Sequence, residues 1–123
     1  KSKDQIIDYK IDQIFTEFFN YLMTRPNHYI SAFLEAYFAV CRKNAYYIGI
    51  LIDADLNDRL YNKLHFYLTD LIEKGIFKLR TDIPVMWVNF AAGGLSQMVV
   101  QWVKDGLVQT NQEMVMVAHR FLR

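Results

Sequence analysis

The chain has 123 residues, of which 53% are hydrophobic and 22% are charged, with only 5 Gly and 2 Pro. This length and composition suit one domain with one core, and they exclude a disordered or low-complexity protein. The formal net charge is +1 and no stripe of Lys and Arg is present. We therefore expect these residues alone to bind DNA poorly, because nonspecific DNA affinity comes mainly from neutralised phosphates.

The first predicted element is a helix over residues 2–24. Ser2 and Gln5 have the form of a capping box, which predicts that the helix begins at its first residues. The helix ends before Pro26, because the residue before a proline is disfavoured in helical geometry. Apolar residues recur at helical spacing along it, at Ile7, Ile11, Ile14, Phe18 and Leu22.

The middle of the chain contains three further helical segments. A second helix is predicted from Pro26 to Arg42, since proline is well suited to a first helical turn. The apolar stretch 45–52 is assigned as helix because its neighbours are helical. Asp55 has the chemistry of an N-cap, and regularly spaced leucines follow it until Gly75, which ends the segment.

The last part of the chain is predicted to form a loop and two helices. Residues 76–82 form the loop, and a helix over 83–105 stops at Gly106. Thr110 and Glu113 form another capping box, which opens a helix to the end of the chain. Strand alternation is absent, so the predicted class is all-α with about six helices.

Residues 83–103 carry no charge and are long enough to span a bilayer. Pro84, the adjacent glycines and several amide side chains disfavour insertion, so we expect a buried helix and no membrane partner. Cys41 is the only cysteine, which excludes an internal disulfide and fits a reducing cytoplasm. The chain opens without Met and without a secretory signal, which indicates an upstream segment.

Two parts of the chain carry a likeness to a known family. The opening Lys1-Ser2-Lys3-Asp4-Gln5-Ile6-Ile7 resembles the segment that closes the helix-turn-helix headpiece of TetR-family transcriptional regulators. Three later segments resemble one recurring C-terminal type of that family. They are Phe90-Ala91-Ala92-Gly93-Gly94-Leu95, Gln101-Trp102-Val103-Lys104-Asp105-Gly106 and Glu113-Met114.

The resemblance implies a TetR C-terminal-like bundle in which residues 1–123 form a single effector-binding domain. Its last two helices would pack against those of a second copy, so that the homodimer contains a four-helix bundle. Residues 1–7 would be the remnant of the junction to an absent N-terminal DNA-binding domain, through which alone operator DNA would be bound. Lys3 matches a family position that often touches a DNA phosphate, although it is equally compatible with a solvated lysine.

Gly93 and Gly94 are adjacent in the predicted helix over 83–105 and provide evidence about the predicted dimer interface. Each costs about 1 kcal/mol relative to Ala inside a helix, and close approach by a neighbouring helix would offset this. That neighbour belongs either to a second copy or to the same subunit, and the resemblance favours the second copy. The predicted dimer interface comprises Gly93, Gly94, Leu95, Met98, Trp102, Met114, Val117 and Phe121.

A pocket for a largely apolar effector is predicted among aromatic, Met and polar residues, a makeup typical of small-molecule sites. Such a stripe at helical spacing is also typical of a plain core. An isolated histidine such as His65 is also typical of the boundary of a core, where its hydrogen bonds are satisfied. The predicted pocket residues are Tyr37, Cys41, Tyr46, His65, Phe66, Met86, Trp87 and Phe90.

Metal binding, cofactor binding and catalysis have no support in the sequence. His28, His65 and His119 lie far apart, without ligand spacing. The acidic residues around Asp55 are explained by the helix macrodipole. We therefore predict an effector-sensing and homodimerising regulator domain that is not an enzyme. A small helical enzyme acting on a hydrophobic substrate and a pure protein-interaction module remain the alternatives.

Overall fold

The computed structural model describes residues 2–123 and contains six helices and no strand within that range. The predicted all-α class is therefore confirmed. Lys1, the first residue of the predicted junction, lies outside the described residues. The helices are α1 (Lys3–Met23), α2 (Ile30–Lys43), α3 (Ala45–Asp53), α4 (Asp58–Glu73), α5 (Pro84–Lys104) and α6 (Asn111–Leu122).

Both predicted capping boxes are confirmed. The Gln5 amide donates to Ser2 Oγ over 3.1 Å, and the Ser2 amide donates to Gln5 Oε1 over 3.0 Å. At the start of α6 the Glu113 amide donates to Thr110 Oγ1 over 3.1 Å, and the Thr110 amide donates to Glu113 Oε1 over 2.9 Å. Each box satisfies two backbone donors that the first turn leaves free, which sets where the helix begins.

The predicted ends at Gly75 and Gly106 are also confirmed. Both residues have left-handed backbone geometry, with φ of 72° and 82°. After Gly106 the Leu107 amide donates back to the Trp102 carbonyl over 2.8 Å, which is the hydrogen bond of a Schellman motif. Glycine adopts this geometry without the steric cost of a Cβ, so the two turns form where the sequence places them.

Two predicted helix starts are wrong. Helix α2 begins at Ile30 and not at Pro26, because residues 26–29 form the turn that brings α2 back along α1. Asp55 does not cap α4. Its φ of 58° makes it the left-handed residue that ends α3, an arrangement that Asp tolerates through its short polar side chain.

Helix α2 lies in the middle of the bundle, where it packs against α1, α3 and α6, while α4 packs against α1 and α5. The chain reverses between α1 and α2, and Lys43 at the end of α2 pairs with Glu17 of α1 over 2.6 Å. The start of α1 and the start of α2 therefore lie at opposite ends of the bundle. A 21-residue helix such as α1 is about 30 Å long.

Aromatic side chains form a continuous series of contacts through the core, which we call the aromatic row. Neighbouring ring centroids in it are 5.0–6.2 Å apart, the range of favourable ring contacts. The row begins at the start of α5 and ends on α4. Its members, in order, are Trp87, Phe77, Phe33, Phe18, Phe15 and Tyr67.

Ion pairs connect the first half of α1 to α4. Arg59 contacts Asp4 over 2.7 Å and Asp8 over 3.4 Å, and Lys63 contacts Asp12 over 2.6 Å. The acidic partners are spaced four residues apart, so they lie on one face of α1. The beginning of α1 is thus held against α4 by charged contacts, whereas its second half is held by the aromatic row.

Candidate functional site

A cleft of about 720 Å³ opens at the end of the bundle where α2 and α5 begin and α6 ends. This volume lies within the range typical of small-molecule sites. We call it the end cleft. It is lined by Tyr29, Ile30, Phe77, Lys78, Leu79, Arg80, Thr81, Trp87, His119, Leu122 and Arg123.

The wall of the end cleft is aromatic. Phe77 follows the Gly75 turn, is buried, and contacts the Trp87 ring with a centroid distance of 5.6 Å. Trp87 is half-buried, and its indole Nε1 donates to the Leu122 carbonyl over 3.4 Å. This contact joins the start of α5 to the end of α6, so both helices contribute to one apolar surface.

The charged side chains that line the end cleft are cationic. Lys78, Arg80 and Arg123 lie around it, and no carboxylate side chain is among the described lining residues. Within residues 2–123 none of these three cations forms an ion pair with an Asp or Glu side chain. The cleft therefore combines an aromatic wall with positive charge that its neighbours leave uncompensated.

The core around Tyr37 and Cys41 is filled. A void of about 10 Å³ remains there, enclosed by apolar side chains of α1–α5. This volume is at most that of one water, so the core admits no effector in this conformation. Tyr37 uses its hydroxyl internally and donates to the Leu95 carbonyl over 3.2 Å.

Burial sets the protonation of this pair. Burial raises the pKa of the Cys41 thiol to about 12, although its hydrogen bond to Tyr37 lowers it in part. Burial also raises the pKa of the Tyr37 hydroxyl well above its usual value, with a further contribution from the nearby Cys41. Both groups are therefore neutral at physiological pH, and neither provides a reactive anion.

The structure corrects the prediction that one cavity joins the eight pocket residues. Phe66, Met86 and Phe90 are exposed, and the Tyr46 side chain is 86% exposed. The reason is that several helices carry two apolar stripes, and spacing alone does not tell which stripe faces the core. His65 lies between α4 and α5 at the surface, with Nε2 2.8 Å from Asn89 Oδ1. Among the eight, Trp87 lines the end cleft.

Sequence reasoning missed the residues that contribute most to the end cleft. Phe77, Lys78, Leu79 and Arg80 belong to the predicted loop, which the structure confirms as a connection between α4 and α5. The available indication was that large apolar residues and cations occur together in one connection, since binding residues are common in connecting segments. The contribution of Tyr29 depends on the reversal of the chain after α1.

Exposed apolar stripes are present on both α5 and α6. Met86, Phe90 and Gly94 follow one another at four-residue spacing on α5, and Phe90 is 61% exposed. On α6, Val117 and Phe121 are exposed, the latter by 71%. No charged residue occurs between Ile83 and Val103, so the polar side chains that α5 itself carries along this stretch are uncharged.

The predicted interface residues thus separate into two groups. Leu95, Trp102 and Met114 are buried within their own chain, which corrects their assignment to a surface. Their apolar character serves the core of one subunit. Gly93 and Met98 are half-buried, whereas Gly94, Val117 and Phe121 are exposed.

A family model for the C-terminal region of transcriptional regulators of the TetR type matches residues 29–123. The match covers α2 to α6, including the end cleft and the exposed stripes. The chain belongs to the TetR family. Comparison with curated proteins and with solved structures finds no match.

Three further features of this TetR-family chain concern DNA contact, metal binding and membrane insertion. Lys3 is exposed at the first position of α1, and a phosphate contact would require an exposed side chain. Residues 2–123 contain no group of three or more His, Cys, Asp or Glu side chains placed to hold a metal ion. None of the six helices combines the length and the apolar character needed to cross a bilayer.

Proposed function

We propose that the chain is the effector-sensing and homodimerising domain of a TetR-family regulator, formed by residues 1–123. Operator DNA would be bound by a separate N-terminal headpiece joined through residues 1–7. The observation that carries this proposal is that α5 has an exposed, charge-free apolar stripe and that α6 also exposes large apolar side chains.

Burial of these stripes would provide the energy of association. A large apolar side chain contributes about 1.5–3 kcal/mol when it is transferred from water to a packed surface. Phe90, Phe121 and Met86 are each more than half exposed in the single chain. Because α5 carries no charge along this stripe, a second copy would cover it without removing an ion from water. A twofold arrangement places the same surface on both partners.

Gly94 supports a second copy more specifically. A Cβ added at this residue would meet no atom of the chain within 4 Å. Packing within one subunit therefore does not require glycine, although glycine costs about 1 kcal/mol relative to Ala inside a helix. Close approach of a helix from another subunit would account for the small residue.

The test is the mass of the chain in solution, measured by light scattering after size-exclusion chromatography. The wild type should have twice the mass of one chain. Gly94→Leu should have the mass of one chain, with unchanged helix content by circular dichroism, because the new side chain meets only open space within the subunit. Asn20→Leu, an exposed position on α1, is the matched control and should remain dimeric. A monomeric wild type or a dimeric Gly94→Leu would refute the proposed interface.

Effector sensing follows by linkage. A ligand that binds better to one arrangement of the helices shifts the population toward it, and so changes the spacing of two headpieces on an operator. Helix α1 would carry the change, because it begins where the headpiece would attach. The ion pairs of Arg59 and Lys63 connect that part of α1 to α4.

A second candidate function is a helical interaction module without an effector. The filled core around Tyr37 and Cys41 favours it, since no ligand fits there. An enzyme is less well supported, because no acidic side chain is among the described lining residues of the end cleft to orient His119 as a general base. Binding of a small molecule at the end cleft would separate the sensor from the interaction module.

A further inference from the structure

We propose that the end cleft binds an organic anion with a flat apolar body, such as an aromatic carboxylate or sulfonate. The assignment deepens the proposed function, on which it rests only for calling this ligand the effector. Binding itself is a property of the single chain and is tested separately from dimerisation.

The apolar body would lie against Trp87, whose ring packs on the buried Phe77. The two rings are 5.6 Å apart and inclined by 42°, so Phe77 supports the Trp87 ring. Trp87 is half-buried and therefore still has ring surface available to a ligand. Contacts between aromatic rings are favourable beyond the apolar area that they bury. A planar group therefore fits this ring surface better than a branched aliphatic one.

The anionic group would lie toward Lys78, Arg80 and Arg123. These side chains come from two separate parts of the chain, the loop before α5 and the end of α6, and they line the same cleft. No carboxylate side chain lines the cleft in the described residues, so a bound anion would not compete with an acidic side chain there. The anion would gain charge-assisted hydrogen bonds from these cations. A neutral or cationic ligand of the same shape would not gain them.

The position of the cleft links the ligand to the proposed dimer. Trp87 is next to Met86 of the exposed α5 stripe, and Leu122 is next to Phe121 of α6. A ligand seated between Trp87 and Arg123 therefore contacts the start of α5 and the end of α6 together. The ligand would favour the arrangement of these two helices in which the cleft remains open.

The experiment compares two fluorescent probes that share the same rings. Anilinonaphthalene sulfonate carries the anionic group, and phenylnaphthylamine lacks it. The anion should bind the wild-type chain at least about tenfold more tightly than the neutral probe, since its charge is the difference between them. The double variant Lys78→Gln/Arg80→Gln should lose most of this preference, while its affinity for the neutral probe stays unchanged.

A matched control removes the same charge elsewhere. Lys74→Gln/Lys104→Gln eliminates two exposed cations that do not line the end cleft, and it should keep the preference of the wild type. Trp87→Ala should weaken both probes, because it removes the ring wall. Equal affinity of the two probes, or an anion preference that survives the cleft variant, would overturn the proposal.

The same samples distinguish failure of the cleft from failure of the dimer. If the chain is monomeric but keeps the anion preference and loses it in the cleft variant, the binding site stands and the proposed interface falls. If the chain is dimeric and the two probes bind alike, the interface stands and the anion site falls. Probe bound to the exposed stripes would be insensitive to the cleft variant, which also overturns the anion site.

Discussion

The guanidinium of Arg42 lies over the ring of the buried Trp102, with its carbon 4.9 Å from the ring centroid. The same guanidinium donates to Asn111 Oδ1 over 2.6 Å and to the Gln109 carbonyl over 2.9 Å. The Trp102 indole also donates to the Gln109 carbonyl, over 3.0 Å. The Arg42 side chain therefore links the end of α2 to the connection between α5 and α6. The Trp102 indole links α5 to the same connection.

Arg42→Gln should lower the free energy of unfolding by about 1–2 kcal/mol, because it removes a cation–π contact and charge-assisted hydrogen bonds at a partly exposed site. Urea denaturation measures the change at a fixed protein concentration. Arg120→Gln, which removes an exposed cation of α6, is the control and should have little effect. Equal destabilisation by both variants would contradict the role of the Arg42–Trp102 contact.

Stability should decrease above pH 9, because Cys41 and Tyr37 stay protonated in the folded chain. The pKa of Cys41 is raised from 9.0 to about 12, so between these values the unfolded chain loses a proton that the folded chain keeps. The contribution of the protonated thiol to the free energy of unfolding is complete below pH 9. As the pH rises further, this contribution falls by up to about 1.4 kcal/mol per pH unit for one group. Cys41→Ala should reduce this slope in urea denaturation between pH 9 and 10. An unchanged slope would show that the thiol does not contribute.

The left-handed residues at two helix ends should respond in opposite directions. Asp55→Gly should stabilise the chain, because glycine adopts a φ of 58° without steric cost. Gly106→Ala should destabilise it by about 1 kcal/mol, although the added Cβ meets no atom within 4 Å. Thermal unfolding of the two variants provides the measurement. A change of the same sign in both would indicate that backbone strain does not determine the effect.

Arg59→Gln should loosen the start of α1 without unfolding the bundle. Removal of the contacts to Asp4 and Asp8 leaves the first turns with few buried side chains, and such segments open locally. Amide hydrogen exchange should become faster in residues 3–10 and remain unchanged around Phe18. Lys10→Gln, an exposed change on the same helix, should leave exchange as it is. Uniformly faster exchange would instead indicate global destabilisation.

The parts of the fold that the sequence predicted are those determined by neighbours in the chain. Ser2 with Gln5 and Thr110 with Glu113 satisfy each other within one helical turn, so the residue types alone locate the helix start. Asp55 shows where this reasoning ends. Its side chain suits both an N-cap and a left-handed C-terminal position, and the hydrogen bond from the Leu56 amide to the Leu51 carbonyl decides between them.

The candidate site was harder to predict because it depends on residues that are distant in the chain. Met86 and Phe90 have the same spacing and chemistry as core residues, and packing of α5 on α3 and α4 determines that they face outward. The end cleft unites Tyr29, Phe77 and Arg123 only after the bundle has formed. Periodicity describes one helix at a time and contains no information about contacts between residues that are distant in the chain.

The aromatic row has a mechanical consequence. It runs without a gap from Trp87 in the end cleft to Tyr67 on α4, and the adjacent interior holds almost no free volume. Close-packed interiors have low compressibility, so they transmit a displacement and do not absorb it. A displacement of Trp87 by a ligand in the end cleft would therefore be transmitted through Phe77 toward Phe15 of α1, and would not be absorbed by compression of the core.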